Sequence, residues 1–197
     1  MPAASTFKVK VCMVGEAAVG KTSLIRRFVL DQFDDRYTST LGAKTTKADM
    51  EIADPRGGGT VGLSMLIWDI MGDRQVPEPL LEAFFRGTQG VIAVCDVFRS
   101  STIERMQDWV RMVYKVTGPV PTIYAANKAD LLLESETLSY ERDLKARLSS
   151  LHASHAFTSA KTGENVREVF SRLAEEILRQ RRTESPGSSD GHASTSP

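Results

Sequence analysis

Gly-Glu-Ala-Ala-Val-Gly-Lys-Thr, residues 15–22, matches the pattern G-x-x-x-x-G-K-[ST] and decides the fold. An apolar run at 7–14 precedes this stretch, and a helical pattern starts at its end, which predicts a strand, a tight loop and a helix. Gly15 and Gly20 let the chain wrap, so that several backbone N–H groups point at one spot beside a helix N-terminus. The stretch therefore predicts a loop that binds phosphate groups rather than a simple glycine-rich turn.

Two side chains of this loop add chemistry that the backbone lacks. Lys21 brings a full positive charge to the terminal phosphates, and the hydroxyl of Thr22 can bind a magnesium ion. The predicted phosphate-binding residues are those of the loop and the residue after it: Gly15, Glu16, Ala17, Ala18, Val19, Gly20, Lys21, Thr22 and Ser23.

Length and composition bound the remaining possibilities. The chain has 197 residues with 25 basic and 25 acidic side chains, which fits one globular domain and makes nucleic acid a poor partner. Cys12 and Cys95 lie in apolar runs, so we expect reduced core residues of a cytoplasmic protein. Pro2 excludes N-myristoylation, and the carboxyl end lacks a prenylatable cysteine, so no direct lipid anchor is expected.

Strand and helix patterns alternate, which predicts an α/β fold with helices on both faces of a mostly parallel sheet. The turn sequence at 54–59 predicts that the second and third strands form an antiparallel hairpin. We expect an N-terminal extension at 1–6, one domain at 7–182 and a disordered tail at 183–197. The predicted strands are 7–14, 43–53, 60–69, 90–96, 121–126 and 153–158, and the predicted helices are 21–30, 79–86, 102–116, 139–151 and 166–180.

Asp69 and Gly72 follow the third predicted strand, in the stretch Trp68-Asp69-Ile70-Met71-Gly72. An aspartate at the carboxyl end of a strand can reach a magnesium ion at the phosphate loop through a water molecule. The backbone N–H of Gly72 can approach a γ-phosphate. A plain turn after a strand is the alternative, and the phosphate loop upstream favours the functional interpretation.

Asn127-Lys128-Ala129-Asp130 follows the fifth predicted strand and has chemistry that suits guanine. The carboxylate of Asp130 can accept from both the ring N1–H and the exocyclic amine of guanine, a donor pair that adenine lacks. Asn127 can tie this segment to the phosphate loop, and the Lys128 stem can lie over the base. Backbone N–H groups of a later loop can contact the guanine carbonyl oxygen, and that loop consists of Ser159, Ala160 and Lys161.

These four motifs, in this order, resemble those of the small GTPases of the Ras superfamily over about residues 7–180. The pair Phe84-Phe85 before Arg86-Gly87 is most similar to the Rab-like branch. The resemblance implies a six-stranded sheet, bound Mg²⁺, GTP hydrolysis, and two switch loops that contact effector and regulatory proteins. It assigns Thr40 to the magnesium ion, and Phe33 and Tyr37 to the nucleotide, and it gives catalytic roles to Lys21, Gly72 and Asp73.

The chain departs from the family pattern where hydrolysis is concerned. Asp73 stands where the family usually has a glutamine that orients the attacking water, and a negative charge beside a triphosphate disfavours hydrolysis. The carboxyl-terminal cysteines that anchor Rab proteins are also absent. We therefore expect a monomeric GTPase of slow intrinsic rate that binds GTP and GDP. The alternatives are a nucleotide-dependent binding module with negligible turnover and, less compatible with the guanine motif, a phosphate-loop kinase or ATPase.

Overall fold

A six-stranded sheet with helices on both faces forms the domain in the computed structural model, which describes residues 6–34, 40–54, 57, 59–73, 76–132, 134–148 and 154–184. Within these residues the strands are β1 (Thr6–Val14), β2 (Ala43–Ala53), β3 (Thr60–Ile70), β4 (Gly90–Asp96), β5 (Thr122–Asn127) and β6 (Ser154–Thr158). The helices are α1 (Lys21–Leu30), α2 (Glu78–Phe85), α3 (Ser100–Thr117), α4 (Glu134–Leu148) and α5 (Val166–Glu184), with a 3₁₀ turn at Ala129–Leu131.

The strand order is β2-β3-β1-β4-β5-β6, and β2 is antiparallel to β3 while the other pairs are parallel. The predicted fold class is thereby confirmed, including the hairpin of β2 and β3. Chain order changes direction at β1, which lies between β3 and β4. Ligands of open α/β sheets bind in the crevice at the carboxyl ends of the strands beside such a point, and the phosphate loop leaves β1 there.

The sheet separates two apolar clusters, and β1 contributes to both by simple alternation. Val11 and Met13 belong to the cluster that α1 and α5 cover, whereas Cys12 and Val14 belong to the cluster covered by α2, α3 and α4. Both cysteines are buried free thiols, as predicted. The apolar residues of α5 recur at helical spacing and are all buried: Val166, Val169, Phe170, Leu173, Ile177 and Leu178.

Most element bounds follow the sequence prediction closely, and the exceptions are α4 and the end of α5. Helix α5 ends at Glu184 rather than at Gln180, so residues 183 and 184 are helical and do not belong to a disordered tail. The predicted start of α4 at Ser139 is wrong because the helix begins at Glu134, and the predicted end at Leu151 lies outside the described residues. The early turns of α4 have no apolar residues at helical spacing, so the hydrophobic pattern of the sequence does not indicate that the helix begins there.

Candidate nucleotide-binding site

The phosphate loop has a backbone path that two glycines make possible. Gly15 has φ 139°, and a Cβ on it would clash with the carbonyl oxygen of Val94 on β4. Gly20 has φ 97° and precedes α1, and a Cβ there would clash with the side-chain amide of Asn127. Both residues need the left-handed region and the absence of a side chain, so the loop can wrap tightly against β4 and β5.

Lys21 reaches back over the loop that it follows. Its Nζ donates to the carbonyl oxygens of Gly15 and Glu16, at 2.8 Å each, and the residue is buried. Burial lowers the pKa of Lys21 to about 8, although the charges of Asp69 and Glu16 act in the opposite direction. The ammonium group is therefore positioned inside the loop, where an anion would stabilise its charged form.

Three oxygen-bearing side chains from separate segments meet beside the first turn of α1. Thr22 Oγ1 lies 2.5 Å from Asp69 Oδ2 and 3.2 Å from Thr40 Oγ1, and Thr40 Oγ1 lies 3.4 Å from the same carboxylate oxygen. The other oxygen, Asp69 Oδ1, is buried and has no hydrogen-bond partner among the described residues. Burial raises the pKa of Asp69, against the hydrogen bond from Thr22 and the charge of Lys21. Mg²⁺ binds oxygen ligands, so this group of two hydroxyls and a carboxylate, in which Asp69 Oδ1 lacks a hydrogen-bond partner among the described residues, has the chemistry of a Mg²⁺ site.

Gly72 brings the segment after β3 against the phosphate loop. A Cβ on Gly72 would clash with the backbone of Glu16 and Ala17, so the two segments are in direct contact. Asp73 follows it and is half-buried. Tyr37, predicted to contact the nucleotide, lies outside the described residues.

Asn127, the last residue of β5, links the phosphate loop to the segments predicted to hold the base. It is buried, and its Nδ2 donates to the carbonyl oxygen of Val19 at 2.9 Å. Its Oδ1 accepts from Thr158 Oγ1 and from the backbone N–H of Ala160, both at 3.3 Å. One amide side chain therefore joins three loops at the carboxyl edge of the sheet.

Of the side chains predicted to bind guanine, Ser159 and Asp130 are in direct contact, whereas Lys128 and Phe33 contact other parts of the fold. Ser159 Oγ donates to Asp130 Oδ1 at 2.6 Å, which joins the segment after β5 to the loop after β6. Lys128 has φ 68°, and its Nζ donates to Asp96 Oδ2 at 2.7 Å. Phe33 is half-buried and packs against the apolar cluster under α1 and α5.

A sequence model of the Ras family matches residues 10–179. The chain belongs to the Ras family. It is 33% identical over 175 residues to the Ras-related protein Rab-22A of Mus musculus, which covers 86% of this chain and 84% of that protein. It is 31% identical over 188 residues to Rab-13 of Rattus norvegicus, with 94% and 88% covered, and 31% identical over 175 residues to Rab-21 of Geodia cydonium, with 88% and 72% covered. These relatives confirm the prediction of a Rab-like member of the Ras superfamily.

Among the described residues, none of the helices combines the length and apolar character that a bilayer span requires.

Several supports of this Ras-family site were missed by the sequence prediction. Arg27 on α1 donates from Nε to the carbonyl oxygen of Ala160 at 2.8 Å and from Nη2 to that of Lys161 at 2.6 Å. Glu16 in the phosphate loop accepts from Arg105 and Trp109 on α3, at 3.0 and 3.3 Å. Spacing along the chain could not have indicated these contacts, because their partners are distant in sequence and half of them are backbone carbonyls.

Proposed function

We propose that the chain is a guanine-nucleotide switch that binds GTP and GDP with Mg²⁺ and hydrolyses GTP slowly. In this proposal the loop at 15–23 holds the phosphates, Thr22, Thr40 and Asp69 serve the magnesium ion, and Asn127, Lys128 and Asp130 recognise guanine with the loop at 159–161. Effector and regulatory proteins would then distinguish the two nucleotide states. We also propose that the protein is a monomer and that it works in the cytoplasm; the buried free thiols of Cys12 and Cys95 support the location.

The observation that carries the proposal is the position of Asn127. Its hydrogen bonds to Val19 and Ala160 hold the phosphate loop and both predicted base-binding segments at one edge of the sheet. A single nucleotide that has its phosphates at one end and its base at the other fits such a joined set of loops. Isolated phosphate binding would not require this connection.

Specificity for guanine is supported by the surroundings of Asp130. Its Oδ1 accepts a hydrogen bond from Ser159, so the carboxylate is oriented before a base arrives. A site that pairs with the N1–H and amine donors of guanine rejects adenine strongly, because its polar groups would be left unpaired. This preference separates the proposal from an ATP-dependent kinase or ATPase.

Switching is supported by the placement of Thr40 and Gly72. Thr40 lies beside Thr22 and Asp69, and Gly72 contacts the phosphate loop, so two separate segments meet where a terminal phosphate and its Mg²⁺ would be bound. Loss of that phosphate removes a contact from both segments, which is how Ras-type switches release their loops.

Asp73 favours a second candidate, a binding module with negligible turnover. It directly follows Gly72, and its carboxylate has the wrong charge for a group that orients water beside a triphosphate. Both candidates need guanine-nucleotide binding, and they differ only in the rate of hydrolysis.

Competition for a fluorescent GDP tests the proposal. GTP and GDP should displace the label at similar concentrations, whereas ATP should need roughly 10⁴-fold more. Asp130→Ala should lose most of the affinity for guanine nucleotides, and Asp49→Ala, on an exposed part of β2, should not. Displacement by ATP as efficient as by GTP contradicts the proposed function.

A further inference from the structure

Asp96, the last residue of β4, is a buried carboxylate that binds groups from two directions. Its Oδ2 accepts from Lys128 Nζ at 2.7 Å and from Arg99 Nε at 3.0 Å, and its Oδ1 accepts from the backbone N–H of Phe98 at 3.0 Å. Its side chain is only 4% exposed. Burial raises the pKa of Asp96, but the hydrogen bonds from Lys128, Phe98 and Arg99 outweigh it and keep the pKa below its usual range.

Arg99 continues this chain of contacts to the phosphate loop. While its Nε donates to Asp96, its Nη2 donates to the carbonyl oxygen of Ala17 at 2.9 Å. Lys128, Asp96, Arg99 and Ala17 thus form an unbroken series from the segment that recognises the base to the loop that holds the phosphates. We refer to these four residues as the Asp96 bridge.

The guanidinium group is well suited to this position. Its planar fork can donate in two directions at once, which the compact ammonium group of a lysine cannot reproduce with the same geometry. Val19, two residues after Ala17, is held by Asn127. The phosphate loop is therefore tied to the base-binding side at two points, by Asn127 at Val19 and by the Asp96 bridge at Ala17.

We propose that Arg99 is a positioning residue that, through Asp96, fixes the phosphate loop relative to the base-binding segment and thereby slows nucleotide release. This inference rests on the proposed guanine-nucleotide binding. A bound nucleotide contacts both segments, so its departure is easier when the two segments can separate. Arg99 acts on the backbone carbonyl of the loop and on a neighbouring carboxylate rather than on the nucleotide itself.

Dissociation of fluorescent GDP from the full chain, chased with excess unlabelled GDP, tests the bridge. Arg99→Ala should release GDP roughly tenfold faster, the change expected when about one net charged hydrogen bond is lost. Arg99→Lys should retain most of that increase, because the charge is kept but the fork is lost. Arg111→Ala, on the exposed side of α3 where it pairs with Asp108, should match the parent.

A second measurement separates this role from a general loss of structure. GMP lacks the β-phosphate and makes fewer contacts with the phosphate loop, so Arg99→Ala should weaken GDP binding much more than GMP binding. Equal weakening of GDP and GMP binding overturns the proposal. A parental release rate in Arg99→Lys also overturns it, because the positive charge alone would then be sufficient.

The remaining outcomes also have defined meanings. If the parent binds no fluorescent GDP, the proposed function fails. If the parent binds it and Arg99→Ala releases it at the parental rate, the bridge alone is wrong. Slower single-turnover GTP hydrolysis with a parental release rate would make Arg99 a cation that acts on the reacting phosphates, which also overturns the positioning role.

Discussion

Gly72 lies against the phosphate loop so closely that a Cβ on it would clash with the amide nitrogen of Ala17. Its φ lies outside the left-handed region, so the requirement for glycine comes from this approach and not from backbone conformation. The segment that follows β3 is therefore positioned by its contact with the phosphate loop. A change at this contact should alter the geometry of the site where the terminal phosphate would bind.

Gly72→Ala should disturb binding of a triphosphate more than that of a diphosphate. The added methyl group must displace either the segment after β3 or the loop, and backbone on both sides leaves little room for relaxation. Affinity for a non-hydrolysable GTP analogue should fall by roughly tenfold, and that for GDP by less. Competition against fluorescent GDP measures both. Gly62→Ala, within β3 and beside Thr6, is the control, and equal losses for both nucleotides in Gly72→Ala would contradict the expectation.

Arg27→Ala should loosen the loop at 159–161. The guanidinium group donates to the carbonyl oxygens of Ala160 and Lys161, and its side chain is only 17% exposed, so its removal leaves two acceptors without their charged donor. We expect a loss of about 1–3 kcal/mol in the free energy of unfolding, together with faster release of GDP. Urea denaturation and fluorescent GDP dissociation measure the two effects.

The neighbouring arginine provides the control for this prediction. Arg26 pairs with Asp34 at 3.6 Å and its side chain is 46% exposed. Arg26→Ala should change the free energy of unfolding by less than about 0.5 kcal/mol. Equal effects of the two substitutions would mean that the hydrogen bonds of Arg27 to the loop at 159–161 do not contribute to the free energy of unfolding.

The two cysteines should resist modification in the folded protein. Burial raises the pKa of the Cys12 thiol to about 11 and that of Cys95 to about 12. Since the thiolate is the reactive form, roughly one thiol in a thousand or fewer is ionised at pH 8. Ellman's reagent should leave the native protein unlabelled at that pH and label both thiols in urea. Rapid labelling of a native thiol would show that one of these strands opens readily.

The sequence predicted the parts of the site that depend on residue type at a fixed spacing. Gly15, Gly20 and Lys21 are recognisable because loop geometry demands them, and Ala43–Ala53 and Gly90–Asp96 were predicted to the residue. Asn127 was expected to join the loops, and its hydrogen bond to Val19 has that geometry.

What could not be predicted involves partners without a sequence signature. Arg27 and Arg99 bind backbone carbonyl oxygens, which every residue carries, so no residue type in the sequence marks Ala160 or Ala17 as their acceptors. The start of α4 was missed for a related reason, because polar early turns show no apolar period. The contacts of Arg27 and Arg99 can be identified only in the folded structure, where the sheet brings their loops together.

In the proposed GTPase, hydrolysis would depend on the residue after Gly72, where this chain carries Asp73. A neutral amide at this position can orient a water molecule, whereas a carboxylate is shorter and adds negative charge beside the phosphates. Ras-type GTPases that have the amide hydrolyse GTP at only about 10⁻⁴ s⁻¹ without an activating protein. Arg36 and Arg74, which are close in sequence to Thr40 and Asp73 and could offset the charge in cis, lie outside the described residues.

Asp73→Gln should therefore accelerate intrinsic hydrolysis, by roughly three- to tenfold if removal of one partly screened charge sets the change. Asp73→Ala removes the charge without supplying an amide, so it should increase the hydrolysis rate by less than Asp73→Gln does. The difference between the two variants measures the contribution of water orientation, and the increase in Asp73→Ala measures that of charge repulsion. Single-turnover hydrolysis of preloaded GTP, measured at equal Mg²⁺, compares both variants with the parent. Nucleotide affinity should stay close to parental in both, which shows that the step affected is hydrolysis. If the parent is the fastest and both substitutions slow the reaction, Asp73 acts as a working catalytic group, and the interpretation of its charge as inhibitory is wrong.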